Sequence, residues 1–202
     1  PIRPGYSFDG WYTTPSTGGT EYTASTVITA SITLYARWTA QRVNYTLVYW
    51  IENANGTGYS YLGTYANAAL QAYAGTEISV NKSTADGYRS QIDTLVSDSA
   101  KRTEFMTYFS FSNAPSAILA GDGSTIVNVY YFRHQYYIKY ELDTPSGNGA
   151  YAEIEFNGTH SSPYTFTVGP FKYLEDISDK TPKQYMVKTY DRRGNETHRF
   201  YG

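Results

Sequence analysis

The first dozen residues commit this chain to sheet. Pro4 and Gly5 form a turn pair, proline presetting φ and glycine accepting positive φ, and Asp9 with Gly10 gives a second turn signal. Tyr6, Phe8, Trp11 and Tyr12 crowd between and after them. Rings this dense require a partner surface, because each one buries about 150–250 Å². Further along, Ile32, Leu34, Ala36 and Trp38 alternate with Ser31, Thr33, Tyr35 and Arg37, the period-two pattern of a half-buried strand. The aromatic residues of both segments read as packing.

In their letters and in the spacing of the two blocks, Arg3, Pro4, Gly5, Tyr6, Phe8, Gly10, Trp11 and Tyr12, followed by Leu34, Tyr35, Ala36 and Trp38, resemble the Listeria/Bacteroides repeat. This is a small β-rich module of bacterial surface proteins. The resemblance covers residues 1–40 and implies an opening strand and short helix upstream of Pro1, and with them an open sheet edge within the chain. It implies a kind of protein rather than a reaction: an extracellular segment at a bacterial cell surface, with signal and anchor elsewhere in a longer parent.

Beyond this segment, Val43, Tyr45, Leu47, Tyr49 and Ile51 share one strand face, with Val48 and Trp50 on the other. Residues 52–58 form a hairpin-grade turn rich in Asn and Gly, and residues 59–65 a return strand. The alanines of 66–73 read as a short helix or a crossing loop. Glu77 to Val80 reads as a strand, Asp86-Gly87 as a turn, 88–101 as one short helix, and 103–111 as a strand apolar on both faces. Residues 124–133 close this region and, after His134 and Gln135, Tyr136, Ile138, Tyr140 and Leu142 open the next. Further strands are expected at 150–156, 164–168 and 184–190, with turns at Asn157-Gly158, Gly169-Pro170 and 193–195. The pattern of 43–133 resembles β-grasp-like or MucBP-like modules, the latter another bacterial surface repeat. The expected fold is therefore mainly β (α+β): tandem small β-grasp-like modules at 1–40, 43–133 and 136–202, each a mixed sheet with at most one short helix. Connectors of two to four residues predict modules held end to end rather than on flexible coils.

Composition narrows function by exclusion. With 16 basic and 18 acidic side chains the net charge is -2, so no global field recruits nucleic acid. No run of about eighteen apolar residues exists, and membrane insertion is not expected of these residues. The 23 tyrosines, nine phenylalanines and three tryptophans are the vocabulary of twisted antiparallel sheet, while the absence of cysteine removes disulfides, thiolate metal sites and thiol nucleophiles together. His134, His160 and His198 stand far apart and show no metal-ligand spacing. Carboxylate pairs such as Glu153 with Glu155, or Asp176 with Asp179, sit where solvated strand faces and turns place them. Glu52, Asn53, Asn55 and Gly56 resemble the start of a calcium loop but lack its aspartate ladder and closing glutamate, so a turn accounts for them. Lys139 and Lys188 are the strand lysines to inspect for an isopeptide staple, though no motif singles out an asparagine or acid partner.

No catalytic residue, cofactor or metal is expected. The reading is a noncatalytic stalk or adhesion segment of a large cell-surface protein, partnered by neighbouring modules of its parent. Two alternatives stand beside it. One is a module that binds host glycan or protein through exposed aromatics, with Trp50, Tyr59, Tyr61 and Tyr65 as the candidate cluster. The other is an accessory module of an exported enzyme.

Overall fold

The computed structural model describes residues 1–141, 151–156, 159–161, 165–180, 186–190 and 193–201. The fold is mainly β. Strands β1 (Tyr6–Tyr12), β2 (Glu21–Tyr22) and β3 (Tyr35–Ala40) form an antiparallel sheet in the order β2-β1-β3, with Phe8 opposite Trp38 and Trp11 opposite Ala36. The last strand is shorter than its alternation suggests: Ile32 lies outside it, 42% exposed. Among the described residues no strand pairs with the outer edge of β3.

Only Gln41 separates β3 from β4 (Arg42–Glu52). The chain continues through β5 (Tyr59–Tyr73), β6 (Glu77–Ile78), helices α1 (Lys82–Tyr88), α2 (Asp93–Val96) and α3 (Ser99–Tyr108), then β7 (Phe109–Asn113), β8 (Ala117–Ile118) and β9 (Ile126–Arg133). The main sheet runs β5-β4-β9-β7, with β4 and β5 antiparallel and the central pair β4 and β9 parallel. Leu47, Tyr49, Val127, Val129 and Tyr131 line its covered face at 0–1% exposure, against Ala85, Ile92, Leu95 and Phe105 from the helical segment.

Three expectations fail in this region, each for a local reason. Asp86-Gly87 lies inside α1, because Asn81 caps that helix by accepting from Thr84 N at 2.9 Å, so a turn pair becomes its last turn. Instead of one short helix there are three, interrupted by a 3₁₀ turn at Arg89–Gln91 and by Ile92 in extended conformation. Residues 103–108 are helical, because Asp98 caps α3 and Phe105 is buried one turn before Phe109, their rings 5.7 Å apart. In addition, residues 66–73 are neither helix nor crossing loop but the second half of β5, widened by a register break between Thr46 and Asn44 of its partner.

The helical segment is fixed to the sheet by a buried guanidinium. Arg89, 7% exposed, donates from Nη2 to the carbonyls of Phe105 (2.8 Å) and Phe109 (2.9 Å), satisfying the end of α3, and its charge lies over the rings of Phe105 and Tyr131. Nη1 lies 3.4 Å from Asp86, which accepts from the Tyr131 hydroxyl at 2.7 Å. Burial and this bond push the Tyr131 hydroxyl well above the ordinary tyrosine range. The free edge of β5 is closed by side chains of α2: Asp93 Oδ1 accepts from Thr64 N at 2.8 Å, and Thr94 Oγ1 donates to Leu62 O at 2.5 Å.

Residues 1–40 fold against this region. Gln41 N donates to Gly5 O (2.8 Å) and Gln41 O accepts from Ala74 N (2.9 Å), while the Tyr6 hydroxyl donates to Ala74 O (3.0 Å). Gly121 lies so close to Pro4 that a Cβ there would run into the Pro4 carbonyl. Pro1–Glu52 and Gly58–Phe132 thus make one compact unit, and Asn53–Thr57 with Arg133–Gly202 make a second.

In the second unit β10 (Gln135–Glu141) precedes β11 (Tyr151–Phe156), β12 (Thr159–Ser161), β13 (Thr165–Lys172), β14 (Met186–Tyr190) and β15 (Glu196–Tyr201). β10 pairs with β13, and the other strands form an antiparallel sheet in the order β12-β11-β14-β15. The expected turn at Gly169-Pro170 is inside β13, where a cis peptide falls at a register shift against Tyr136 and Ile138. Asn157-Gly158 lies outside the described residues.

Two outcomes follow from this packing. A Cβ on Gly63 would collide with Ile92, Asp93 and Thr94, whereas one on Gly87 meets nothing within 4 Å. Urea denaturation should show Gly63→Ala destabilised by about 2 kcal/mol and Gly87→Ala unchanged or more stable. Burial raises the Asp86 pKa, but bonds from Lys82 and Tyr131 and the charges of Arg89 and Lys82 outweigh it and hold the group below its ordinary 3.8. A depressed folded pKa contributes stability above the unfolded value that is lost as pH falls through the folded one. Asp86→Asn should therefore be less stable than wild type at neutral pH, and the gap should shrink below about pH 4, read as urea midpoints across the acid range.

Candidate functional site

The face of the main sheet turned away from the helices carries an aromatic row. Along β4, Leu47 and Tyr49 point to the covered side and Trp50 to the other; along β9, Val129 and Tyr131 point in and Asn128 and Tyr130 out. Trp50 stands directly opposite Tyr130 on one side and Tyr61 on the other, so three rings cross three adjacent strands. Trp50 and Tyr61 meet edge to face at 5.9 Å. Tyr59, two pairs along opposite Glu52, reaches across β4 to meet Tyr130 at 4.8 Å. Hydrogen bonds fix the row: the Trp50 indole donates to Asn128 Oδ1 at 2.8 Å, and the Tyr61 and Thr64 hydroxyls are 2.8 Å apart. Tyr59 is 41% and Tyr61 51% exposed, the arrangement of a preorganised apolar surface with polar tips.

Of the four residues proposed from sequence, Trp50, Tyr59 and Tyr61 share this face and Tyr65 does not. Tyr49 pairs with Gly63 while Trp50 pairs with Tyr61, so Leu62 is an extra residue and the alternation of β5 inverts after it. Tyr65 consequently falls on the covered side, 6% exposed and stacked on Tyr88 at 4.5 Å. Burial, then the neighbouring Tyr88, raises its pKa. Sequence reading missed Tyr130 and Asn128. Alternation in β9 places them on one face, but only the parallel register with β4 brings them to Trp50.

The N-terminal motif residues hold their own sheet together. Phe8 meets Trp11 at 5.6 Å and Trp38 at 5.3 Å, both edge to face. The Arg3 guanidinium lies 3.8 Å over the Tyr6 ring, and Arg37 lies 4.0 Å over Tyr12. Gly5 has φ +74°, and Gly10, at the bulge between Phe8 and Trp11, has φ +146°, both conformations that side chains resist. Tyr12 pairs with Tyr35, and Leu34 is half-buried beside it. Residues 1–37 match the Listeria-Bacteroides repeat domain. This repeat is typical of bacterial surface proteins, and its motif positions here serve packing and turn geometry. No curated protein and no solved structure gives a significant match to the chain.

The remaining candidates are absorbed locally. In the 53–57 turn, Asn53 Nδ2 donates to Thr57 O at 2.8 Å and Asn55 Oδ1 accepts from Thr57 N at 2.9 Å, so the amides that resembled a calcium loop close a hairpin. No cluster of three His, Cys, Asp or Glu side chains suited to a metal occurs among the described residues. Lys139 lies exposed on β10; the side chains of Glu153, Glu155, His160, Lys188 and His198 lie outside the described ones. Asp176 accepts from Ser178 N at 2.9 Å in a turn. No described helix is long and apolar enough to cross a membrane.

Proposed function

We propose that this chain is a noncatalytic segment of a large bacterial cell-surface protein, outside the cell, in which a repeat passes position and load directly to the module that follows. The observation that carries this reading is the junction at Gln41, one residue between two strands with its N–H and C=O both bonded, to Gly5 and Ala74. Backbone contact between Pro4 and Gly121 reinforces it. A surface repeat so joined acts as a strut. The order β5-β4-β9-β7 with a parallel central pair, a leading hairpin and helices before β7 further supports a β-grasp-like module at 43–133. Nitrogen-15 relaxation on the whole chain tests the strut. Residues 6–40 and 42–132 should tumble with one correlation time, and Gly121→Val, which drives a side chain into Pro4, should uncouple them. Independent reorientation of the repeat in the wild type would refute it.

A second reading is favoured by the aromatic row: the 42–132 region also binds a host glycan or protein through Trp50, Tyr59, Tyr61 and Tyr130. An array of neutral glycans probed with the chain should then show binding that falls about tenfold in Tyr61→Ala, the loss of one stacking ring. Tyr65→Phe, altered on the covered face, should leave it unchanged. Retention of full binding in Tyr61→Ala would sink this reading.

A further inference from the structure

The repeat carries a second surface feature that its packing does not explain. Beside β3 lies an open cleft of about 390 Å³, bounded by Arg3, Asp9, Ser16, Thr17, Arg37 and Trp38, a volume in the range of small-molecule sites. Its positive charge is only partly compensated. Arg37 is held rigidly: Nε and Nη2 donate to Thr14 O at 3.3 and 3.2 Å, Nη2 also donates to Thr14 Oγ1 at 2.7 Å and to Gly18 O, and the group lies over Tyr12. These partners are neutral and leave Nη1 unspent. The Arg3 guanidinium lies against Tyr6, and neither arginine has an ion-pair partner among the described residues. The one carboxylate at the rim, Asp9, accepts from Thr39 Oγ1 at 2.8 Å through Oδ2. The Trp38 indole N–H has no acceptor among the described residues.

We propose that this cleft binds an acidic sugar residue of a surface glycan. The net charge of Arg3, Arg37 and Asp9 is +1, which selects an anion. Planar guanidiniums suit a carboxylate, taken in bidentate fashion by Arg3 and by Nη1 of Arg37. Asp9 Oδ1 and the Ser16 and Thr17 hydroxyls supply acceptors and donors for ring hydroxyls, and Trp38 adds an indole donor beside an apolar ring. Because Arg37 is fixed by its loop before any ligand arrives, little side-chain entropy is lost on binding. The site is separate from the Trp50 face and stands or falls independently of it.

Titration of the whole chain followed by nitrogen-15 spectra tests the assignment, with sialyllactose and trigalacturonate as acidic probes and lactose as the neutral control. The Trp38 indole and the Arg37 Nε signals should shift with an acidic probe and not with lactose. A response to only one of the two acidic probes identifies whether the sugar is sialate-like or uronate-like. Arg3→Ala, an exposed change that removes no internal hydrogen bond, should weaken binding about tenfold or more, whereas Tyr61→Ala should leave it intact. The proposal is overturned by the absence of shifts with either acidic probe up to about 10 mM, by equal shifts with lactose, or by unchanged affinity in Arg3→Ala.

Discussion

The buried Arg89 guanidinium is the interaction on which the larger part of the described fold depends. A sheet of four strands with a parallel central pair needs a crossover, and the connection from β4 to β9 includes three short helices, none long enough to be stable by itself. Arg89 ties the break after α1 to the end of α3 and the start of β7 through two carbonyls, while Asp86 ties the same group to Tyr131 on β9. A cation so deeply placed is tolerable because the acid, two carbonyls and two ring faces share its desolvation cost. Its Nε alone is without a partner. Removing the arginine would take the shared donor from the Phe105 and Phe109 carbonyls and leave Asp86 to Lys82 and Tyr131 alone.

What was legible in the sequence was what is local. The hairpin from β4 to β5, the closing strand β9 and the opening of β10 follow from alternation bounded by Asn, Gly and Pro, since a pleated strand half-buried in water leaves no other pattern. The failures share one form: a period read over a few residues but settled by a cap, a bulge or a partner strand outside them. Phe105 and Phe109 satisfy a period of two and of nearly four alike, and the cap at Asp98 decides between them. Tyr65 is in phase with Tyr61 on paper and out of phase in the sheet, because Leu62 bulges where Gly63 yields to Ile92. Asn128 and Tyr130 join the aromatic row only through pairing with a strand some eighty residues earlier, which no local signal encodes.

Edges distinguish the three-stranded from the four-stranded sheet of the first unit. β5 is long and terminal, the geometry that invites pairing with other chains, yet Asp93 and Thr94 occupy its donor at Thr64 and acceptor at Leu62. β3 is terminal as well, and among the described residues no strand covers it. Of these two edges, only that of β5 has backbone groups taken up by side chains from a helix.

The same asymmetry runs through the side chains. In the module of β4 to β9 the buried charge is matched, Arg89 against Asp86, and the outward surface is aromatic and held by neutral hydrogen bonds such as Trp50 to Asn128. In the repeat, partly exposed aromatic rings pack on one another, and the arginines are met by carbonyls, a hydroxyl and ring faces. Carbonyl oxygens satisfy the hydrogen-bonding needs of a guanidinium without cancelling its charge. Arg37 is therefore fixed without being neutralised: its Nε and Nη2 fasten the loop before β2 through Thr14 and Gly18. One arginine of β3 can thus fasten a loop and leave charge over, so the packing role of the repeat's motif and the proposed binding role at its surface do not compete.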